Sequence, residues 1–276
     1  MEAKKFMILG GDNRSIELAN LLYRDGHNVT ISHIEGLSFK DPDIIIGPLP
    51  FSKDDKTINA PFHIEKIPIE MVFERINKDQ LLMAGNIKED HKKKAKDYGI
   101  DFIDYFGREE LQVLNAIPTA EGALKLAIEN SAITLHDSNV LILGFGRIGK
   151  VLAKMLYGIG ANVYVAARKT EDIAWINALS YRAVRLNQLD EYMDNMDFVF
   201  NTVPSLILNK ERLKRLHRKA LVIDLASKPG GVDFKWAEEL GINTIHALGL
   251  PGKVAPVTAA RIIKDTIYNI LEERGI

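Results

Sequence analysis

Residues 140–165 read VLILGFGRIGKVLAKMLYGIGANVYV. An apolar run is followed by Gly144, Gly146 and Gly149, then by apolar residues at helical spacing, then by Gly160 and a second apolar run. The order is strand, tight turn, helix, glycine, strand. Between a strand and a helix, G-x-G-x-x-G has a physical reading. Its first glycine allows the tight turn, its second lets the backbone approach a pyrophosphate, and its third permits close helix–strand packing. The phosphates then sit among free N–H groups at the positive end of the helix dipole. The stretch predicts an α/β dinucleotide fold, with Gly144, Gly146, Arg147, Ile148 and Gly149 as cofactor contacts.

The end of the second strand selects the dinucleotide. An acid about 20 residues beyond such a turn holds the adenosine ribose hydroxyls of NAD. This chain has Ala167, Arg168, Lys169 and Thr170 there. An acid would repel a 2′-phosphate, whereas Arg168 and Lys169 attract it and Thr170 adds a hydroxyl. NADP is the expected cofactor.

Working outward, the opening FMILGGDNRSIELANLLYRDGHNVTI (6–31) lies on residues 140–165 at a constant offset of 134 without a gap. Ile8 falls on Ile142, Gly10 on Gly144, Ala19 on Ala153, Tyr23 on Tyr157 and Gly26 on Gly160. The chain therefore holds two Rossmann-like units. In the first, Asp12 replaces the central glycine and Ser15 the third, and a carboxylate there repels a pyrophosphate. GGDNR (10–14) is either a turn with a helix N-cap or a place for Arg14 to meet a substrate.

Short apolar runs alternate with amphipathic stretches along the rest of the chain, the pattern of mostly parallel sheets. DPDIIIGPLP (41–50), DQLLMAGN (79–86) and DFIDYF (101–106) read as further strands of the first sheet. KEDHKKKAKDYG (88–99) reads as a solvated helix, and PTAEGALKLAIEN (118–130) as a helix bridging the domains with Pro118 near its start. DFVFNTVPS (197–205), KALVIDLASKPGG (219–231) and GINTIHALGLPG (241–252) each run from a strand into a loop of small residues, at the edge where open parallel sheets bind ligands. The final amphipathic stretch, 255–275, is expected to return to the first domain. The expected division is 1–117 with 256–276, and a cofactor domain over 118–255.

The 276 residues are 46% hydrophobic and carry 36 Lys+Arg against 37 Asp+Glu. A net charge of −1 gives no reason to expect nucleic acid or an anionic membrane. No cysteine is present, which excludes disulfides, thiol nucleophiles and cysteine-ligated metals. Seven histidines (27, 33, 63, 91, 136, 217, 246) lack metal-ligand spacing. No signal-peptide pattern opens the chain and charges interrupt its most apolar stretch, so a cytoplasmic protein without a membrane span is expected.

GGDNR, NAIPTAEGALKLA (115–127), LGFGRIGK (143–150), DLASKPGGVDF (224–234) and LGLPGKVAPVTAA (248–260) together resemble the dipicolinate synthase A-subunit family over essentially the whole chain. Asn13 is a local departure. The resemblance implies NADP-dependent oxidation of a dihydrodipicolinate, derived from 4-hydroxy-tetrahydrodipicolinate. It also implies a branch from lysine biosynthesis during sporulation, in the mother cell, and a flavoprotein-like second subunit. A homo-oligomer is expected as well. A substrate with two carboxylates calls for cations and hydroxyls at an interdomain cleft. Ser227, Lys228 and Asn115 are candidates for catalysis, and Arg14, Thr119 and Lys253 for substrate binding. Thr202, Val203 and Pro204 would lie along the nicotinamide half of the cofactor. Related layouts, those of shikimate dehydrogenase and methylene-tetrahydrofolate dehydrogenase, and a non-catalytic NADP-binding scaffold remain alternatives.

Overall fold

The structure is a computed structural model and describes residues 2–31 and 41–276; His33 lies outside them. The chain divides into two compact units, Met1–Asn115 with Ala255–Ile276, and Ala116–Val254.

The first unit is built on a parallel sheet of β1 (Lys5–Ile8), β2 (Asn28–Ile31), β3 (Ile44–Ile46), β4 (Leu81–Ala84) and β5 (Asp101–Asp104), in the order β2-β1-β3-β4-β5. Helices α1 (Asn13–Arg24), α2 (Ile69–Arg75) and α3 (Glu89–Asp97) complete it. The inner strands β3 and β4 are buried at every position. Helices cover both faces of such a sheet, so polar alternation vanishes from its central strands.

The second unit begins at Ala116, within α4 (Glu109–Glu129), and this helix precedes six parallel strands. These are β6 (Asn139–Leu143), β7 (Asn162–Ala167), β8 (Arg182–Arg185), β9 (Phe198–Asn201), β10 (Leu221–Asp224) and β11 (Asn243–His246). Their order, β11-β10-β9-β6-β7-β8, is the doubly wound dinucleotide-binding arrangement. The helices are α5 (Arg147–Gly158), α6 (Thr170–Ala178), α7 (Lys210–Leu213), α8 (Phe234–Leu240) and α9 (Leu250–Val254). Leu152, Ala153 and Leu156 of α5 and Ile176 of α6 pack on one face with Ala120, Ala123 and Ala127 of α4. Leu213 and Ala237 pack on the other, against Leu141, Val199 and Val222.

α4 corrects the reading of residues 118–130. The helix begins nine residues before Pro118, which lies inside it. Proline has no N–H to close the helical bond to residue i−4 and normally marks a first turn. The interior position is held instead by burial, since Ala116, Ala120, Ala123 and Ala127 line one face and are almost wholly covered.

The last helix, α10 (Pro256–Glu273), belongs to the first unit. Ile263, Ile267, Ile270 and Leu271 recur at helical spacing and join Leu18 and Leu22 of α1 in one core. Arg108 clamps its far end, donating to both carboxylate oxygens of Glu273 at 2.6 Å.

Candidate functional site

β6 feeds its chain straight into the glycine turn. Gly144 has φ +96°, a conformation that L side chains rarely adopt, and a Cβ there would lie 2.6 Å from Thr202 Oγ1 and 2.8 Å from Val203 Cγ2. A Cβ on Gly149 would lie 2.2 Å from the Gly144 carbonyl oxygen. Both glycines are required by the fold. Gly146 is different. Its φ of −80° and ψ of −162° suit any residue, and a Cβ would meet no atom within 4 Å. Nothing in the protein explains that glycine, whereas a ligand backbone approaching α5 does. No side chain caps this helix end. Arg147 is exposed at its first position, and Ile148 packs on the core below. The residues fit a pyrophosphate.

At the end of β7, Arg168, Lys169 and Thr170 are all exposed, and Thr170 is the first residue of α6. Neither Arg168 nor Lys169 forms an ion pair with another described residue. The acids of this corner, Glu171 and Asp172, sit in the first turn of α6, where the helix dipole favours them.

The loops after β9 and β10 are knitted to the turn and to each other. Thr202 donates to the Leu143 carbonyl through both N–H (2.9 Å) and Oγ1 (2.8 Å). Asn201 fixes the 202–204 loop, giving Nδ2–H to the Val203 carbonyl (3.0 Å) and accepting the Val203 N–H (3.2 Å). The same Nδ2 donates to Asp224 Oδ1 at 2.7 Å. Asp224 is 0% exposed and also accepts the N–H groups of Ala226 (3.1 Å) and Gly231 (2.8 Å). A buried carboxylate is tolerable only when its lone pairs are occupied, and here three N–H donors occupy them. Ser227 and Lys228 lie exposed at the tip of the loop that Asp224 holds, and Pro204 is exposed on its neighbour. His246 contacts the Ala226 carbonyl at 3.0 Å and stacks on Phe234 with ring centroids 5.1 Å apart.

Asn201 and Asp224 were absent from the residues singled out by sequence. Their signal was present, because each is a polar residue ending an otherwise apolar strand, FVFN and LVID.

In the first unit, the turn after β1 is closed on itself. Asp12 is the N-cap of α1 and accepts the Arg14 N–H at 3.1 Å. The Arg14 guanidinium returns to the same carboxylate through Nε (2.9 Å) and Nη2 (2.7 Å), and Nη2 also donates to the Leu49 carbonyl at 2.5 Å. Burial alone would raise the Asp12 pKa. The hydrogen bonds and charge of Arg14, with Lys53 nearby, outweigh burial and hold the group below its ordinary 3.8. Arg14, expected to meet substrate, is 7% exposed and bonded to its own unit.

Asn115 lies half-buried on α4 at the end of the first unit's leading segment, and Thr119 is buried on the same helix within the second unit. Lys253 is exposed on α9. Among the described residues no cluster of metal-ligating side chains occurs, and no helix is long and apolar enough to cross a membrane.

Comparison with known proteins finds a match in each unit. Residues 5–106 match the N-terminal domain of the dipicolinate synthase A-subunit, and residues 119–230 match the NAD binding domain of D-isomer specific 2-hydroxyacid dehydrogenases. The chain is 32% identical to the dipicolinate synthase A-subunit of Bacillus subtilis, over 98% of its own length and 96% of the relative's. The crystal structure of the dipicolinate synthase A-subunit from Bacillus halodurans superposes with a TM-score of 0.88 at 30% identity, covering 97% of each chain. That of the Bacillus subtilis protein gives 0.88 at 30% identity, covering 99% of this chain and 97% of that one.

Proposed function

The chain belongs to the dipicolinate synthase A-subunit family, and from that premise we propose that it oxidises a dihydrodipicolinate to dipicolinate with NADP. The family and its dehydrogenase-type dinucleotide domain support an oxidoreductase. The observation that carries the NADP reading is the exposed Arg168 and Lys169, without an ion-pair partner among the described residues, where an NAD enzyme places an acid.

Gly144, Gly146 and Gly149 with the N-terminus of α5 receive the pyrophosphate, Arg147 and Ile148 flank it, and Arg168, Lys169 and Thr170 hold the 2′-phosphate. Thr202, Val203 and Pro204 line the nicotinamide half. When bound, the nicotinamide supplies the hydride acceptor. The substrate ring gives up a hydride and a proton and gains aromaticity, so this reaction asks the protein mainly for orientation. Ser227 and Lys228 present a hydroxyl and a cation on a loop braced by Asp224, and Lys253 adds a second cation. We assign Asn115 to catalysis and Thr119 to substrate binding. Arg14 serves the substrate by shaping the 10–14 turn and holding the Leu49 carbonyl. Membership of this family implies a second, different subunit, which we take to be flavoprotein-like. We take the chain itself to be a homo-oligomer in the mother cell of a spore former.

The test supplies the purified chain with NADP and the cyclic condensation product of aspartate semialdehyde and pyruvate, with and without the second subunit. Dipicolinate, read by its pyridine absorbance and lanthanide luminescence, should appear together with NADPH. Arg168→Ala should weaken NADP binding about tenfold, as for loss of one charge-assisted hydrogen bond, and leave NAD binding unchanged. Absence of dipicolinate in both arms rejects the reaction.

A further inference from the structure

β8 brings another cation to the corner where β7 ends. Its register sets Arg185 against Ala167, the residue directly before Arg168. Adjacent strands are about 4.8 Å apart, so the Arg185 side chain departs one strand away from the Arg168–Lys169 bend, within the reach of an arginine. In-register residues on parallel strands project from the same face. Arg185 therefore leaves β8 on the face where Ala167 packs in the core with Ile176 of α6, and it is the exposed member of the pair.

The two arginines of β8 are used differently. Arg182, at its start, lies over the Tyr164 ring, 5.0 Å from the centroid, and hydrogen-bonds the Tyr164 hydroxyl. Arg185, at its end, is exposed and has no hydrogen bond or ion pair from its side chain to another described residue. Arg168 and Lys169 share that condition, and Glu171 and Asp172 pair with none of the three. Three cations at the ends of two adjacent strands, none in an ion pair with another described residue, offer complementary charge to an anion.

We propose that Arg185 completes, with Arg168 and Lys169, a subsite for a phosphate monoester, the ribose 2′-phosphate of the cofactor. The inference rests on the NADP reading and deepens it. A monoester carries roughly −1.5 to −2 near pH 7, which two cations on one bend would neutralise without fixing its direction. Arg185 adds a planar, forked donor from a strand whose position the sheet register fixes, and so discriminates a phosphate from a ribose hydroxyl. The acid missing from β7 and the arginine ending β8 are then two parts of one selection.

The test is calorimetric binding of adenosine 2′,5′-bisphosphate and of 5′-AMP to the full chain. Arg185→Ala should lose about tenfold or more in affinity for the bisphosphate, the scale of one charge-assisted hydrogen bond, with AMP affinity and melting temperature unchanged. Arg185→Lys should restore part of the loss. If the unaltered chain prefers the bisphosphate and Arg185→Ala keeps that preference in full, the subsite is overturned and the NADP reading stands. If the unaltered chain binds the two nucleotides equally, the NADP reading falls and the subsite falls with it.

Discussion

The turn after β1 and the turn after β6 join matching strands and helices with opposite chemistry, although Gly11 has φ +94° where its counterpart Phe145 has no positive φ. α1 and α5 start and end 134 residues apart, at Asn13–Arg24 and Arg147–Gly158. Gly10 and Gly144 both have positive φ, and Asp12 and Gly146 share the extended N-cap conformation, with ψ of −164° and −162°. Yet Asp12 closes its helix end with a carboxylate and draws Arg14 back onto it, while Gly146 leaves its helix end open. The position of Arg14 is taken in the second unit by Ile148, which packs on the core. At matching N-cap positions the Asp12 carboxylate seals one turn and Gly146 leaves the other receptive.

The hardest test of this contrast copies one turn into the other. Gly146→Asp should abolish NADP binding, leaving no measurable heat in calorimetry, while the melting temperature stays near that of the unaltered chain, because a side chain at 146 meets nothing. The unaltered chain should bind one NADP, and two equivalent sites would break the comparison. Gly149→Ala should act through the fold instead. Overpacking against the Gly144 carbonyl should destabilise the chain by about 1–3 kcal/mol or more in urea unfolding, with binding lost as a consequence.

In the sealed turn, Arg14→Ala leaves Asp12 without its partner. The pair is only partly buried, with side-chain exposures of 9% and 32%, so the loss should be about 2 kcal/mol, below that for a fully buried pair. Ile148→Ala, at the equivalent place in the second unit, should lose stability through packing alone and show no dependence on salt. Equal salt dependence of the two variants would erase the distinction.

The smallest effect separates the units by pH. His27 is buried, and its counterpart in the second unit is Ala161. His27 Nδ1 accepts the Lys4 N–H at 3.2 Å, and Nε2 faces the Tyr268 hydroxyl at 3.0 Å, which donates to Asp25, as does Lys264. Burial lowers its pKa from the ordinary 6.5, and the nearby Asp25 only partly offsets this. The unfolded chain therefore takes up the proton more readily. His27 stabilises the first unit fully above pH 6.5, and the contribution falls away as pH drops through the lowered folded value. Urea midpoints measured between about pH 8 and pH 5 should fall less steeply for His27→Gln than for the unaltered chain; parallel curves would contradict this role.

The strand–turn–helix units, their offset and the substitution of Asp12 for glycine were legible in the sequence. Periodicity and glycine placement act locally, through the φ and ψ that each residue tolerates. The missing acid after β7 was legible for the same reason. Pro118 misled, because a proline is read as a helix start and only the packing of the alanine face shows the helix running through it. Three features were decided by tertiary structure alone: the bond from Arg14 to the Leu49 carbonyl, the Asn201–Asp224 contact and the pairing of Arg185 with Ala167. These join residues 35, 23 and 18 positions apart. Strand order and register bring them together, and neither is written into the local conformational preferences of the residues that meet.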